Sequence, residues 1–170
     1  SLFIDLGTNG EIVFGNRAFM VSCACSAGPA FEGGDISCGM RATDGAVEAC
    51  TIDKATMEPA LTIVGDPGQK CVGICGSGII DIISELYRCG IINAKGLFVR
   101  EGERVLRDQH GMGRYVIASA AESETGREVS INEVDIDNFI RAKGAIFSAI
   151  DTLLQSVDMT FECIERVFVA

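Results

Sequence analysis

The chain has 170 residues, with 14 lysine and arginine residues against 24 aspartate and glutamate residues, for a formal net charge of −10. This acidity argues against a general nucleic-acid binder and against docking on an anionic membrane, since both need a basic surface. With 48% hydrophobic residues the chain can form a core, and its apolar runs are too short for a transmembrane helix. We expect one domain, with neither nucleic acid nor membrane as a partner.

Eight cysteines are spread along the chain without a Cys-x-x-Cys pair, and the single histidine, His110, is remote from them in sequence. Their share of the composition is below that of a small disulfide scaffold, and their spacing does not suit a zinc tetrahedron. We interpret them as reduced, mostly buried thiols of a cytoplasmic protein. We interpret His110 as an exposed loop residue rather than a general base.

The first 25 residues predict a β-meander. An apolar run at 2–6 is followed by a turn that ends in Asn9-Gly10, the strongest hairpin dipeptide, and a returning strand at 11–14. A third strand is predicted at 18–23. The small, glycine-rich residues 26–41 predict a loop or a short helix, and residues 46–52 and 60–64 a pair of strands.

Two helices are predicted further along the chain. Apolar spacing favours a helix over 79–89, with Ser77 as its N-cap and Gly90 as the left-handed residue after it. Residues 93–132 are interpreted as an irregular insertion with strand-like pieces near 115–118 and 128–131. Asn132 is predicted to cap a long helix over 133–157, and residues 164–170 to form a strand. This order predicts an α/β domain with helices packed on a mixed sheet.

The turn of the first hairpin is the strongest candidate site. Gly7 and Gly10 would let the backbone approach phosphate oxygens, while Thr8 and Asn9 can donate hydrogen bonds. Asp5, near the end of the strand, could hold Mg²⁺ directly or through a water molecule. The alternative is an ordinary tight hairpin whose aspartate hydrogen-bonds the turn.

Two further segments could carry chemistry. Gly76, Ser77 and Gly78 open a helix, and free N–H groups at a helix start bind anions, although simple capping explains the same residues. Glu32 and Asp35 lie in the glycine-rich loop, where two carboxylates could coordinate a metal or position a water molecule. A surface loop with solvated acids is the alternative.

Four segments, taken in order, resemble the reductive activators of corrinoid proteins: residues 4–13, 26–33, 73–78 and 141–146. The resemblance runs essentially end to end. It implies the actin, sugar-kinase and heat-shock ATPase superfamily, whose members have two ribonuclease-H-like lobes with the nucleotide between them. Residues 1–170 would then be a single domain, the C-terminal lobe of a larger ATPase. We expect the N-terminal lobe, the adenosine motif and the iron–sulfur cluster to lie outside this chain.

The resemblance also implies an activity: ATP-driven return of a Co(II) corrinoid protein to the Co(I) state. Its cofactors would be ATP and Mg²⁺, and its partners the corrinoid protein and the missing lobe, with a homodimer left open. The implied catalytic residue is Asp5, as the Mg²⁺ residue, and Glu32 is added as a catalytic residue from its place in the glycine-rich loop, as a helper for water or metal. The implied phosphate-binding residues are Gly7, Thr8, Asn9, Gly10, Gly76, Ser77 and Gly78.

Two other interpretations stay open. The chain could be a docking or dimerisation module for a corrinoid protein without independent ATP binding, or the lobe of a related sugar or acyl kinase. We expect the 170 residues alone to be inactive as an ATPase, because half of the nucleotide cleft would be absent.

Overall fold

The computed structural model describes residues 1–7, 9–26 and 28–170, and within these the side chains of Phe31 and Glu32 lie outside the description. In this part of the chain the strands are β1 (Leu2–Leu6), β2 (Gly10–Gly15), β3 (Met20–Cys25), β4 (Ala46–Ile52), β5 (Pro59–Ile63), β6 (Gly73–Ile74), β7 (Val105–Arg107), β8 (Gly113–Ala118), β9 (Val129–Asn132) and β10 (Val167–Val169). The α-helices are α1 (Gly76–Arg88) and α2 (Glu133–Gln155), and short 3₁₀ helices span Pro29–Glu32 and Phe161–Cys163.

The predicted meander is confirmed. Its sheet has the strand order β10-β1-β2-β3, with β10 parallel to β1 and the other pairs antiparallel. The third strand begins at Met20, later than predicted, because Asn16 holds the preceding residues in a turn. Its side chain accepts the Ala18 N–H at 2.7 Å, and its own N–H donates to the Phe19 carbonyl at 2.9 Å.

One face of the meander is covered by α2. Leu2, Ile12 and Phe14 point to this face and form a core with residues from the second half of the helix, among them Ile150 and Leu154. The alternation of a strand sends every second side chain to the opposite face. Phe3 and Asp5 of β1 are therefore exposed on the outer face.

A second core lies under α1. This helix packs on β4, the central strand of the sheet β5-β4-β6, and buries Ile79, Ile82 and Leu86. The predicted pair of strands at 46–52 and 60–64 is confirmed. Gly90, with φ of 66°, follows the helix in the left-handed conformation, as predicted.

Residues 93–132 are more regular than the sequence indicates. Strands β7, β8 and β9 form an antiparallel sheet in this segment, and Tyr115 and Ile117 of β8 are buried in the same core as α1. Arg104 is one of the charged residues that give the segment its loop-like composition, yet it pairs with Glu58 at 2.7 Å and Glu122 at 3.1 Å. Such pairs make the strands hard to predict, because a charged residue in a sequence is usually interpreted as solvent-exposed.

Helix α2 joins the two cores. Asn132 is its N-cap, as predicted, and forms a capping box with Asp135, in which each side chain accepts a backbone N–H of the other residue. Ile136, near the start, belongs to the core under α1, whereas Ile146 and Leu153 belong to the core under the meander. Among the described residues no helix is both long and apolar enough to span a membrane.

Candidate phosphate site at the first hairpin

The turn of the first hairpin is short and closed by backbone hydrogen bonds. Leu6 pairs with Gly10 across the hairpin, and the Gly7 N–H donates to the Asn9 carbonyl at 3.2 Å. Asn9 is exposed and Gly7 is half-buried, so both can be reached from solvent at the tip. Thr8, predicted as a hydrogen-bond donor to phosphate, lies outside the described residues.

Asp5 lies opposite Glu11 in the register of β1 and β2. Both side chains are on the outer face of the sheet and both are exposed. Directly opposed like charges destabilise a strand pair, and a cation between or beside them would relieve this repulsion. Oxygen donors of this kind suit Mg²⁺, which takes one or two carboxylates and fills its other positions with water and phosphate oxygens. The pair therefore fits the predicted ion.

The sequence pattern predicts no role for Glu11. The sequence does offer a signal for this pairing, because Asp5 and Glu11 are equally far in sequence from the turn at Gly7–Asn9. Once the hairpin is assumed to close between residues 6 and 10, residues 5 and 11 must be partners.

The glycine-rich loop leaves the sheet beside the hairpin tip. Cys25, the last residue of β3, pairs with Gly10, and the 3₁₀ helix Pro29–Glu32 begins four residues later. Gly28 and Gly33 flank this short helix with φ of 74° and 81°, a backbone conformation that favours glycine. Ala30 is buried in the core under α1, so the loop turns inward rather than lying over the surface. The predicted catalytic side chain, Glu32, lies outside the described side chains.

The far end of this loop reaches the start of α1. The Met40 N–H donates to the Ile74 carbonyl, and the Ile74 N–H donates to the Cys38 carbonyl, both at 2.8 Å. Ile74 ends β6, and α1 begins two residues later at Gly76. The loop is thus paired to the hairpin side at one end and to the helix start at the other. Backbone contacts along one continuous segment connect the three regions singled out from the sequence.

The N-cap of α1 differs from the predicted one. Cys75, in an extended conformation, precedes the first helical residue, and Ser77 is the second residue of the helix. The Cys75 thiol donates to the Val47 carbonyl at 3.3 Å, and its sulfur lies 3.3 Å from the Ser77 hydroxyl. The prediction of Ser77 as N-cap is wrong, because Cys75 is tied to β4 and the chain turns into the helix one residue before Ser77.

Close packing of α1 against β4 requires a glycine at position 78. A Cβ at this position would lie 2.8 Å from the carbonyl carbon of Val47 and closer still to the carbonyl oxygen. The residue is buried, whereas Ser77 is exposed and Gly76 half-buried. Of the three predicted phosphate residues at this helix, Gly76 and Ser77 are thus the two that solvent reaches. The first turn of α1 carries no acidic side chain of its own that would repel an anion.

Four of the eight cysteines are buried and three are half-buried, whereas the sequence predicts mostly buried thiols. Cys50, Cys71, Cys75 and Cys89 are buried, Cys163 is exposed, and all eight are free. Burial raises the pKa of the Cys50 thiol to about 12 and that of the Cys71 thiol to about 11. Such thiols stay protonated at neutral pH and are poor metal ligands.

Within the described residues, no three His, Cys, Asp or Glu side chains are grouped to hold a metal. His110 is exposed in a loop, as predicted.

Two curated proteins similar to this chain are both named for their action in corrinoid activation or corrinoid protein reduction. The chain is 33% identical over 181 residues to the corrinoid activation enzyme RamQ of Eubacterium limosum, covering 99% of this chain and 29% of that protein. It is 26% identical over 190 residues to a [Co(II) methylated amine-specific corrinoid protein] reductase of Methanosarcina barkeri, covering 100% of this chain and 31% of that protein. The chain therefore spans less than a third of the length of these relatives.

A solved structure has the same fold. A protein named as a reductive activator for corrinoid, iron-sulfur protein superposes with a TM-score of 0.90 at 48% identity, over 99% of this chain and 27% of that one. The family model described as the C-terminal domain of RACo, the ASKHA domain, matches residues 1–170. The predicted actin-like ATPase fold and the resemblance to corrinoid activators are confirmed. The chain belongs to the family of C-terminal ASKHA domains of RACo.

Proposed function

We propose that this chain is the phosphate-binding C-terminal lobe of an ATP-dependent reductive activator that returns Co(II) corrinoid proteins to Co(I). The family match over residues 1–170 carries the proposal. The geometry of the hairpin supports it, because the turn lies between two exposed, opposed carboxylates on one face of a sheet and Asn9 within it is exposed, although Gly10 is buried.

The roles proposed for the hairpin follow from its groups. Gly7, Asn9 and Gly10, with Thr8, hold the terminal phosphates of ATP through backbone and side-chain donors. Asp5 holds Mg²⁺ directly or through a water molecule. When bound, Mg²⁺ neutralises phosphate charge and orients the terminal phosphate.

The second phosphate contact is proposed at the start of α1. Gly76 and Ser77 offer the free N–H groups of a helix N-terminus, which favour an anion. Gly78 allows α1 to approach β4 closely, and this packing holds the start of the helix in position for the proposed contact. Glu32 keeps its proposed role in assisting a water molecule or the metal.

The proposed coupling uses the whole activator. ATP binding closes two lobes around the nucleotide and the corrinoid partner, and hydrolysis releases the partner. The electron enters through an iron–sulfur cluster that we place outside this chain. Burial keeps the thiols of Cys50 and Cys71 protonated, which makes these two residues poor cluster ligands, since cluster ligands are thiolates. We place the protein in the cytoplasm, where thiols stay reduced.

The experiment is ATP hydrolysis and corrinoid reduction by the full-length activator, with and without its Co(II) partner. Asp5→Asn and Thr8→Ala should each lower both rates by about tenfold or more, since removing one stabilising group of this kind costs about 10²-fold. Asp66→Asn is the matched control, because Asp66 is an exposed aspartate in the turn after β5. Unchanged rates in both hairpin variants would show that the phosphate assignment is wrong.

A docking module is the second candidate function, and exposed apolar side chains favour it. Phe3 is 40% exposed and Phe168 52% exposed on the outer face of the meander, and Phe147 of α2 is 59% exposed. Such residues suit contact with the other lobe, a corrinoid protein or a second copy. Calorimetry on the 170-residue chain separates the functions: partner binding without ATP binding supports the module, and micromolar ATP binding supports a self-sufficient nucleotide site.

A further inference from the structure

Asp135, in the first turn of α2, is the most deeply buried carboxylate that the structure describes, with 2% of its surface exposed. One carboxylate oxygen accepts the Asn132 N–H at 3.0 Å and completes the capping box. The other accepts both the N–H of Ser37 at 2.8 Å and its hydroxyl at 3.0 Å. The second oxygen is not needed for the cap. It ties the helix to a loop 98 positions earlier in the chain.

Two more side chains hold the same loop, one from the N-cap of α2 and one from within the helix. The Asn132 amide donates to the Ser37 hydroxyl at 2.9 Å, and the Asn138 amide donates to the Asp35 carbonyl at 2.8 Å. Positions 132, 135 and 138 are three residues apart, which places them on one side of the helix start. Asp35 has φ of 57°, a strained conformation for a residue with a side chain, so the loop needs such partners to keep its shape. We call these contacts the loop latch.

The latch fixes the segment on which the helix start depends. One residue beyond Ser37, the loop pairs with Ile74 through Cys38 and Met40, directly before α1. On the other side, the loop comes from β3, whose last residue pairs with Gly10 of the hairpin. The second half of α2 is anchored in the core under the meander. A single helix thus holds the meander with one end and the loop with the other.

We propose that Asp135 is a positioning residue for the phosphate site: through the loop latch it holds residues 33–40 against the start of α1, in fixed relation to the hairpin. The inference rests on the proposed function, because it concerns the binding of ATP phosphates. Loss of the latch releases the loop and loosens the helix start, and ATP binds more weakly. The chemical step, which depends on Asp5 and bound Mg²⁺, changes little.

The test uses the full-length activator with Asp135→Asn, whose amide keeps one accepting oxygen but places an NH2 donor against either the Asn132 N–H or the Ser37 N–H. The double variant Ser37→Ala/Asn138→Ala is the second test, because it removes latch contacts and leaves the capping box intact. Glu133→Gln is the matched control. Glu133 lies in the same turn, and its carboxylate accepts the Phe98 N–H at 3.0 Å, but it does not contact the loop within the described hydrogen bonds.

Two readouts are needed: hydrogen exchange of residues 33–41, and the KM for ATP together with kcat. We expect Asp135→Asn and the double variant to exchange faster in this segment and to raise KM about tenfold, equivalent to 1.4 kcal/mol. We expect kcat within about twofold of the wild type, as for loss of uniform binding. The control should change neither readout.

Unchanged KM in both latch variants would overturn the inference, whether or not the loop exchanges faster. If the double variant is identical to the wild type and only Asp135→Asn raises KM, Asp135 serves only as a helix cap, and the inference is overturned as well. Asp5→Asn, measured in parallel, keeps the two proposals apart. If the wild type does not bind ATP, or Asp5→Asn and Thr8→Ala both hydrolyse it normally, the proposed function fails. If Asp5→Asn is impaired and the latch variants are not, only the latch inference fails.

Discussion

Replacing Gly78 by alanine should destabilise the domain, although the same change within a helix usually stabilises it. The backbone of α1 approaches β4 so closely at this point that a Cβ would overlap the Val47 carbonyl group. That carbonyl cannot turn away freely, because it accepts the Cys75 N–H at 3.1 Å and the Cys75 thiol at 3.3 Å. The helix itself must therefore move.

The expected size follows from two opposing effects. Alanine improves helix propensity by at most about 1 kcal/mol relative to glycine. Forcing a methyl group into a packed interior costs about 1–3 kcal/mol, and contact with backbone atoms favours the upper end. Moving α1 also disturbs Ile79 and Ile82, which are fully buried beside it. We expect a net loss of about 2 kcal/mol, or roughly 4–8 °C in Tm for a chain of this size.

The assay is urea unfolding of the 170-residue chain followed by circular dichroism. Gly144→Ala is the matched control, since Gly144 lies within α2 with nothing within 4 Å of an added Cβ. This variant should gain about 0.5–1 kcal/mol through helix propensity alone. If Gly78→Ala is as stable as the wild type, or gains stability like the control, the close approach of α1 to β4 is not the reason for the glycine.

Three other side chains give expected effects in the same assay. Glu85→Gln should cost less than about 1 kcal/mol at neutral pH through loss of the ion pair with Arg88, because the arginine side chain is 56% exposed and solvent screens the pair. The Arg88 guanidinium lowers the pKa of Glu85 to about 2, so this stabilisation is present above about pH 4.5 and disappears as the pH falls from there to about 2; a difference that persists at pH 2 would contradict this cause. Tyr115→Phe should cost about 1–2 kcal/mol, because the hydroxyl donates to the buried Met57 carbonyl at 2.8 Å, and equal stability would mean that this bond contributes nothing. Ser123→Ala should be neutral or stabilising by up to about 1 kcal/mol, since the Ser123 hydroxyl is buried with no hydrogen-bond partner within the described residues, and a clear loss would reveal a partner.

Elements with strong local signals were predicted well. The hairpin, the Asn132 cap and Gly90 each depend on a few neighbouring residues, so they can be predicted directly, although Gly10 belongs to β2 rather than to the turn. The sheet within residues 93–132 was recognised only in pieces. Its strands are short, and its charged side chains pair with distant residues, as Arg104 does with Glu58 across 46 positions.

The candidate site also has some features that local sequence predicts and others that depend on the tertiary structure. The sequence identified the hairpin turn and the start of α1, because glycines and small polar residues mark places where the backbone can approach an anion. It did not show that Glu11 faces Asp5, since that depends on register. It also placed the N-cap of α1 at Ser77, because the tie between Cys75 and Val47 spans 28 positions.

By itself, the sequence determined an acidic α/β domain with its first hairpin and its two helices, since composition, turns and caps are local properties. Its motifs also carried the resemblance to corrinoid activators that the family match confirms. The tertiary structure decided which residues meet. It packed Gly78 on β4, tied the glycine-rich loop to the start of α1, and placed Asp135 against Ser37. These contacts join residues tens of positions apart, and they exist only once the strands have paired and α2 has spanned both cores.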